Sequence, residues 1–574
     1  MNPTLRLLDF KVENQKNFKI NDGKDNNEFV IQMFGIDEKK VSHSVFVKGF
    51  EPFFYIKTNA ELTDKECKAF KNSILEKWKA AELKQRLKNN KFINKRNFDD
   101  EDEGSYYENS ITGFELVNSE TLYGFDNHKE HQFIEVRFKN TTVFNKVKNL
   151  FFETEIDPTS IFGKKFILKP YNWRKYKFEL YESKLPPLLR FFHIKNISPS
   201  GWIELPRNKI IPNRGKKKTF CHFEHTIEWD DIIPLPEKET AIPIKICSFD
   251  IEASSSHGDF PMPKKTYVKL AGEIVTYWNK NYNNIQKLTK KDKRSLLKQC
   301  IYTAFNIKKM QEISIVFPKK SVTQQEIKDR LQTLIYKPIS EIISKKQLQI
   351  KSCENSDDYE DEEEVNTMRL GYYIKKNKTI IDYLNDKKED NAKKMDIIDQ
   401  ALTKILPPLE GDKVTFIGST FMYFGECEPY LNHGICLGSC NEFDIENSKC
   451  EIICHENERD VLIEWKRMLQ QHQPDIIIGY NIFGFDWKFL CDRADELKCF
   501  EPKNDYDDGE WFCEISKNRN KKSKRLEKTI KIASGEHNLT YLDIDGVIQI
   551  DLYNHFRREV TLPSYKLQSV ASHF

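Results

Sequence analysis

A chain of 574 residues with 39% hydrophobic and 12% aromatic content can build real cores, which excludes a disordered polymer despite 31% charged residues. Lys plus Arg (91) nearly balances Asp plus Glu (88), leaving a net charge of +3, so a nucleic-acid partner is neither demanded nor excluded: a basic face can hide inside a neutral total. With no run of about 18 apolar residues and no apolar core in the leading MNPTLRLLDFKVENQ, the sequence reads as a soluble, intracellular protein of three or so domains without a membrane partner.

Residues 1 to about 60 alternate strand-like runs (LRLLDFKV, NEFVIQMFGI, SVFVKGF, PFFYIK) with Asn, Asp and Gly turns, which predicts an antiparallel sheet. A helix is expected from Thr63 to about Asn94, with Phe70, Ile74, Trp78 and Ala81 on its buried face, then an acidic loop from Asp99 to Gly104. Strands follow at GFELVN and QFIEVRFK, and a helical stretch at Val143 to Phe151. In YNWRKYKFELY and the segment after it, Arg174, Lys175, Lys177 and Arg190 interleave with Trp173, Tyr176, Phe178 and Tyr181. That pattern suits a platform for single-stranded nucleic acid, and equally a half-exposed strand with aromatics inward. The run Asn213 to Thr219 (NRGKKKT) is a basic loop able to touch phosphate.

Ile244 to Ile251, bounded by Pro243 and a Ser/His/Gly cluster, reads as a strand buried on both faces. Asp250 and Glu252 share one side of it, with Cα atoms roughly 6 to 7 Å apart. Two buried unpaired anions are costly, and a pair of divalent ions, Mg2+ or Mn2+ for an oxygen-rich site, is the economical remedy. A D-x-E triplet also arises by chance among 88 acids, so a second element is needed.

Lys264 to about Pro408 is charged, largely helical in pattern, and reads as an insertion between two strands of one sheet, the second being Val414 to Ser419; its Glu354 to Glu364 run is an acidic low-complexity loop. The 13 cysteines read as reduced thiols. The densest group, Cys427, Cys436, Cys440, Cys450 and Cys454, has C-x3-C without a matching C-x2-C, a poor zinc pattern, and Cys450 and Cys454, four apart at the two ends of CEIIC, read as core. ENERDVLIEWKRMLQQ predicts an amphipathic helix with Val461, Leu462, Trp465, Met468 and Leu469 inward; PDIIIGYN predicts a strand, and IFGFDWKFLCDRADEL a second helix with Phe489, Leu490, Ala494 and Leu497 inward. Asp486 then falls where that helix begins, beyond the carboxyl end of the strand, where it can meet Asp250 and Glu252.

These residues resemble the 3′-5′ exonuclease region of the family B, delta-like, DNA polymerases. Asp250, Ile251 and Glu252 with Gly258, Phe260 and Pro261 are similar to that family's first exonuclease motif, and Gly479, Tyr480, Asn481, Phe485 and Asp486 to its second, Y-N-x-x-x-F-D. RFFHIKNISPSGWIELP and QIDLYNHFRREVTLPSYKLQSVASHF are similar to its flanking segments, and the long DIEASSSHGDFP with the large insertion looks most like the polymerases of large DNA viruses.

The resemblance implies a multidomain chain of α/β and α+β class: a β-rich N-terminal DNA polymerase B domain over residues 1–240, then an RNase H-like (DEDD) exonuclease fold with a mixed sheet over 241–574, interrupted by the insertion at about 264–408. It implies a two-ion Mg2+ or Mn2+ site in which Asp250 touches both ions, Glu252 helps orient the attacking water and Asp486 holds the other ion. Asn481, Phe485, Tyr480 and Phe260 would contact DNA at the primer 3′ end, although Phe485 also suits a core and Asn481 a turn brace. The family's third motif, Y-x-x-x-D, is expected beyond Phe574. YLDID at Tyr541 to Asp545 precedes GVIQIDLY and reads as a chance match. The exonuclease domain is therefore expected to be truncated at its C-terminus, the palm, fingers and thumb to lie outside this chain, in the same or a separate polypeptide, and the isolated chain to degrade single-stranded DNA weakly or not at all. The alternatives are a freestanding exonuclease and a non-catalytic single-strand-binding subunit. A sliding clamp and a nuclear or cytoplasmic viral replication site are expectations of the family alone.

Overall fold

The structure is a computed structural model that describes residues 2–16, 27–89, 101–122, 127–156, 164–212, 215–255, 260–343, 378–440, 450–502, 509–532 and 535–574. Gly258, the acidic run 354–364, residues 90–94, residues 99 and 100 and the first two residues of the basic loop at 213 lie outside them. Among the described residues no helix is long and apolar enough to cross a membrane.

The N-terminal strands divide between two sheets. Thr4–Lys16, Asn27–Ile36 and Ser42–Lys48 pair antiparallel in a six-stranded sheet, joined by Trp202–Glu204, Ile233–Leu235 and, parallel, Phe223–Glu228. Phe53–Thr58, expected beside them, instead joins a five-stranded antiparallel sheet with Ile111–Ser119, His131–Phe138, Tyr171–Trp173 and Tyr176–Tyr181. The helix Asp64–Asn89 covers this second sheet with Phe70, Ile74 and Trp78, while Ala81 is exposed. From Glu101 the expected acidic loop is a helix, Glu101–Ser110.

Tyr176 and Phe178 are buried in that core, with the Phe178 ring stacked on Phe70 at 3.7 Å between centroids; Tyr181 is buried against Phe133, 5.1 Å away on the other face, whereas Lys177 and Glu179 face solvent and pair at 2.9 Å. The chain turns at Arg174 in the left-handed region, φ 52°. Strand alternation thus accounts for Tyr176, Lys177 and Phe178, while Arg190 lies buried in the helix Pro187–Lys195. Rings packed this way are not free to stack on bases.

The third sheet runs, edge to edge, Cys450–His455, Leu431–Leu437, Lys413–Tyr423, Lys245–Ser254, Ile476–Gly479 and Ile548–Asp551. Lys413–Tyr423 is antiparallel to both its neighbours and every other pairing is parallel, so the sheet is mixed. The strand Lys245–Ser254 therefore sits inside it, and its register sets Asp250 opposite Gly418 and Glu252 opposite Phe416. Helices Glu458–His472 and Asp486–Glu496 pack on one face: Phe249 lies 4.9 Å from Trp465 and 5.4 Å from Trp487, and Trp465 donates its indole N–H to Ser419 Oγ at 3.1 Å. Burying these rings supplies much of the hydrophobic driving force for this layer.

Between the antiparallel partners Lys245–Ser254 and Lys413–Tyr423 the chain makes the expected helical excursion. Its helices, among them Val268–Lys280, Lys290–Ala304, Gln324–Tyr336 and Asn391–Ile405, bury a separate core around Trp278, Leu297, Leu331 and Ile398. Asp412 closes the base of the excursion: its N–H donates to Met262 O at 2.8 Å, and its carboxylate accepts from Met262 N at 2.8 Å and pairs with Lys265 at 2.7 Å.

The first sheet is tied to the third through charge. Lys11 pairs with Asp545 at 2.9 Å, Lys521 bridges Glu13 and Asp545, and Gly546 N donates to Asp9 at 2.7 Å. The Asp545 carboxylate, the acid of the stray YLDID, is thus taken up by Lys11, Lys521 and Asn518 at this junction.

Candidate functional site

The strand Lys245–Ser254 is buried on one face only. Cys247, Phe249 and Ile251 point into the core, and Ser248, Asp250 and Glu252 are exposed on the other face. This corrects the expectation of a strand buried on both sides: helices cover one face of the sheet here, and the acids line the other. Water on that side lowers the cost of holding two carboxylates together. A register shift between Glu252 and Ala253 marks a bulge at the end of the acid pair, a distortion that re-aims side chains at strand ends.

Asp486 differs from both. It is the first residue of helix Asp486–Glu496, is only 2% exposed, and feels the charge of the neighbouring Asp250 carboxylate. Burial, and after it the charge of Asp250, raises its carboxyl to about 8. Its Oδ1 has no hydrogen-bond partner. A buried carboxylate oxygen without a donor, against a second carboxylate with a third two residues along the same strand face, is a donor set that calls for a cation. Asp250 itself accepts the N–H of Ile251 at 3.0 Å.

The loop from Gly479 to Phe485 sets Asp486 in place. A Cβ at Gly479 would meet Ile482 at 2.4 Å and the Phe249 carbonyl at 2.9 Å, so the close approach to the acid strand needs glycine here. Asn481 is left-handed, φ 63°, and its carbonyl accepts the N–H groups of Gly484 and Phe485, both at 3.0 Å. Tyr480 lies edge-on to Tyr553 at 5.7 Å and donates its hydroxyl to the Tyr565 carbonyl. Phe485 packs against Phe489 at 5.4 Å and is covered by Phe260, whose ring lies 5.9 Å away and is 72% exposed. Tyr480, Asn481, Phe485 and Asp486 thus lie together at the start of one helix, with Asp250 facing Asp486 and the exposed Phe260 ring over Phe485, while Glu252 stands two residues along the strand face from Asp250.

Sequence reasoning missed Asp551. It ends the strand Ile548–Asp551, is buried, and its two oxygens accept from Asn481 N at 2.8 Å, Phe483 N at 3.1 Å, Tyr553 N at 3.0 Å and Asn554 Nδ2 at 3.1 Å. It caps the helix Leu552–Glu559 and pins the turn that carries Asn481. The signal was present in QIDLYN, an Asp directly before a helical run. A second fastening is the buried Arg493–Glu458 pair, where Glu458 also accepts Val414 N at 2.9 Å and Arg493 donates to Pro263 O at 3.0 Å.

The model of the DNA polymerase family B exonuclease domain matches residues 178–326 and 336–570. Over 586 aligned positions the chain is 34% identical to a DNA polymerase of Phaeocystis pouchetii virus, covering 96% of this chain and 52% of that protein. It is 28% identical over 581 positions to a DNA polymerase of Pyramimonas orientalis virus, covering 96% of this chain and 40% of the relative. Likeness to the DNA polymerase delta catalytic subunit of Oryza sativa is more local: 30% identity over 164 residues, 28% of this chain and 14% of that one. The chain spans about half the length of the first of these relatives and less of the second.

Proposed function

The chain belongs to DNA polymerase family B through its exonuclease domain, and on that premise we propose that it carries the metal-dependent 3′-5′ proofreading site of a DNA-replicating polymerase, with Asp250, Glu252 and Asp486 as the carboxylates of a two-ion centre. The observation that carries this reading is the orphaned Oδ1 of buried Asp486 against Asp250. The sheet adds support: five strands in the order Leu431–Leu437, Lys413–Tyr423, Lys245–Ser254, Ile476–Gly479, Ile548–Asp551, with only the second reversed and Cys450–His455 as a further edge strand, suit the RNase H-like fold of this reading.

A pair of Mg2+ or Mn2+ ions held by these three carboxylates would activate water and stabilise the departing 3′ oxygen of DNA. The residues divide the remaining work. Asp250, exposed on the strand beside Asp486, would be a ligand shared within the group. Glu252, further along the same face, would accept a proton from, and so orient, an attacking water. Asn481 offers its side-chain amide at the turn before the helix to the terminal nucleotide, and Phe260 over Phe485 gives an apolar surface for an unpaired base. Tyr480 anchors the loop to the C-terminal segment. The polymerising remainder of the enzyme, and any clamp, are partners in this reading.

The test is release of nucleotides from 3′-labelled single-stranded DNA by the purified chain with Mg2+ or Mn2+. The expected outcome is slow, metal-dependent shortening from the 3′ end that falls by at least about a hundredfold in Asp250→Ala. Shortening that persists undiminished in that variant would assign the activity elsewhere.

A further inference from the structure

Three thiols converge at the edge of the third sheet farthest from Ile548–Asp551. Cys436 and Cys454 are register partners on the parallel strands Leu431–Leu437 and Cys450–His455, so their side chains leave the same face. Gly438 follows with φ +85°, a conformation glycine adopts freely, and donates its N–H to His455 O at 2.8 Å. This turn brings Cys440 back onto the strand pair: its Sγ lies 3.7 Å from that of Cys454, and the sulfurs of Cys436, Cys440 and Cys454 all lie within 4.8 Å of one another. Cys436 is buried beneath the other two, which are exposed.

The spacing is that of ligands around one ion. A zinc–sulfur bond of about 2.3 Å in tetrahedral geometry puts sulfurs about 3.8 Å apart, close to the Cys440–Cys454 separation. A disulfide would use two of the thiols and leave the third unexplained. The poor C-x3-C pattern is completed by a residue from the neighbouring strand, which linear spacing does not reveal. The expectation that Cys450 and Cys454 belong to the core is also corrected: both are exposed, because their strand is the edge of the sheet. Cys450 lies four residues before Cys454, roughly 13 Å along the strand, too far to complete the same shell.

We propose that Cys436, Cys440 and Cys454 form a three-thiolate site for a thiophilic divalent cation of the Zn2+ type, with the fourth position open to water. Each thiol loses its proton to solvent on binding, and the ion joins the end of Leu431–Leu437, the turn at Gly438 and the strand that leads into helix Glu458–His472. The site is distinct from the acids: Cys436 lies two strand positions from Lys245–Ser254, in register with Glu252 through Phe416 and roughly 10 Å away at the usual strand spacing, and Cys454 lies three positions away, roughly 14 Å.

The full chain, reduced and stripped of metal, is titrated with Co2+ and the sulfur-to-cobalt charge-transfer absorption is followed, with Zn2+ added to displace it. The site predicts a saturable band for one ion per chain that Zn2+ abolishes. It predicts loss of the band in Cys440→Ser and in Cys454→Ser, each folded by circular dichroism, and its retention in Cys427→Ser, Cys450→Ser and Asp250→Ala. The last variant separates this site from the carboxylates, which give no sulfur band. A folded, reduced wild-type chain without the band would overturn the proposal, as would a band that survives both Cys440→Ser and Cys454→Ser or vanishes in Cys450→Ser.

Discussion

Asp551 shows how a residue outside the proposed carboxylate site can hold the turn that leads into it. Its carboxylate holds the N–H groups of Asn481 and Phe483, and alanine would leave two part-buried donors without acceptors. Asp551→Ala should cost about 2–4 kcal/mol in urea unfolding and raise the KM for a DNA 3′ end more than it weakens metal affinity; an unchanged KM would make it a helix cap and nothing more. A second residue-scale prediction concerns His43 and His225, 2.9 Å apart between the first-sheet strands Ser42–Lys48 and Phe223–Glu228. Burial, then the charge of His43, lowers His225 to about 4; burial also lowers His43, with Asp37 opposing and His222 reinforcing. For depressed folded-state values, the stabilisation is complete above the ordinary histidine range near pH 6.5 and is lost as pH falls through about 4. Melting temperature should drop across that window in the wild type and drop less in His225→Gln; equal slopes would remove the pair from the acid response. Asp250, Glu252 and Asp486 were readable as residues because D-x-E and Y-N-x-x-x-F-D are local in sequence. Asp551 was not, because its role depends on backbone donors 70 residues away.

At the scale of elements, the acid strand is positioned by what lies behind it. Phe249 fills the space between Trp465 and Trp487, one ring from each covering helix. Phe249→Ala should destabilise the chain by about 3–5 kcal/mol, and Phe249→Leu by less than about 1.5 kcal/mol, measured by chemical denaturation. Equal costs would mean that volume at this point matters little. The buried Glu458–Arg493 pair joins the two helices to Val414 and Pro263, and Glu458→Ala should cost about 3–5 kcal/mol because it strands the guanidinium. Both helices and the strand between them were legible from periodicity. What escaped was which sheet a strand would enter: Phe53–Thr58 alternates like its predecessors, and the choice between sheets rests on partners such as His131–Phe138 that lie far along the chain. One-sided burial of the acid strand was hidden for the same reason, since an apolar run alone does not say whether a second layer will cover it.

At the scale of the molecule, one sheet is interrupted by a helical unit with its own core and closed at its base by Asp412. Replacing residues 268–405 with a short flexible link should leave the Trp465 and Trp487 near-ultraviolet dichroism intact and change stability by no more than about 1–2 kcal/mol, since the contacts given up with the sheet layer include part-exposed pairs such as Lys319–Glu496. Loss of that dichroism would make the unit part of the fold it interrupts. The insertion was legible because its charge and helical pattern break the strand rhythm on either side; the three-cysteine cluster was obscured because it needs two adjacent strands and a turn. The central claim is that three carboxylates from two elements of one sheet layer hold divalent ions, and Mn2+ titration of the purified chain, read by the loss of the free-ion electron paramagnetic resonance signal, tests it most directly. The account predicts saturable binding that Asp250→Ala and Asp486→Asn each weaken by at least about tenfold while Cys454→Ser leaves it unchanged; binding unaffected by both carboxylate variants would contradict it.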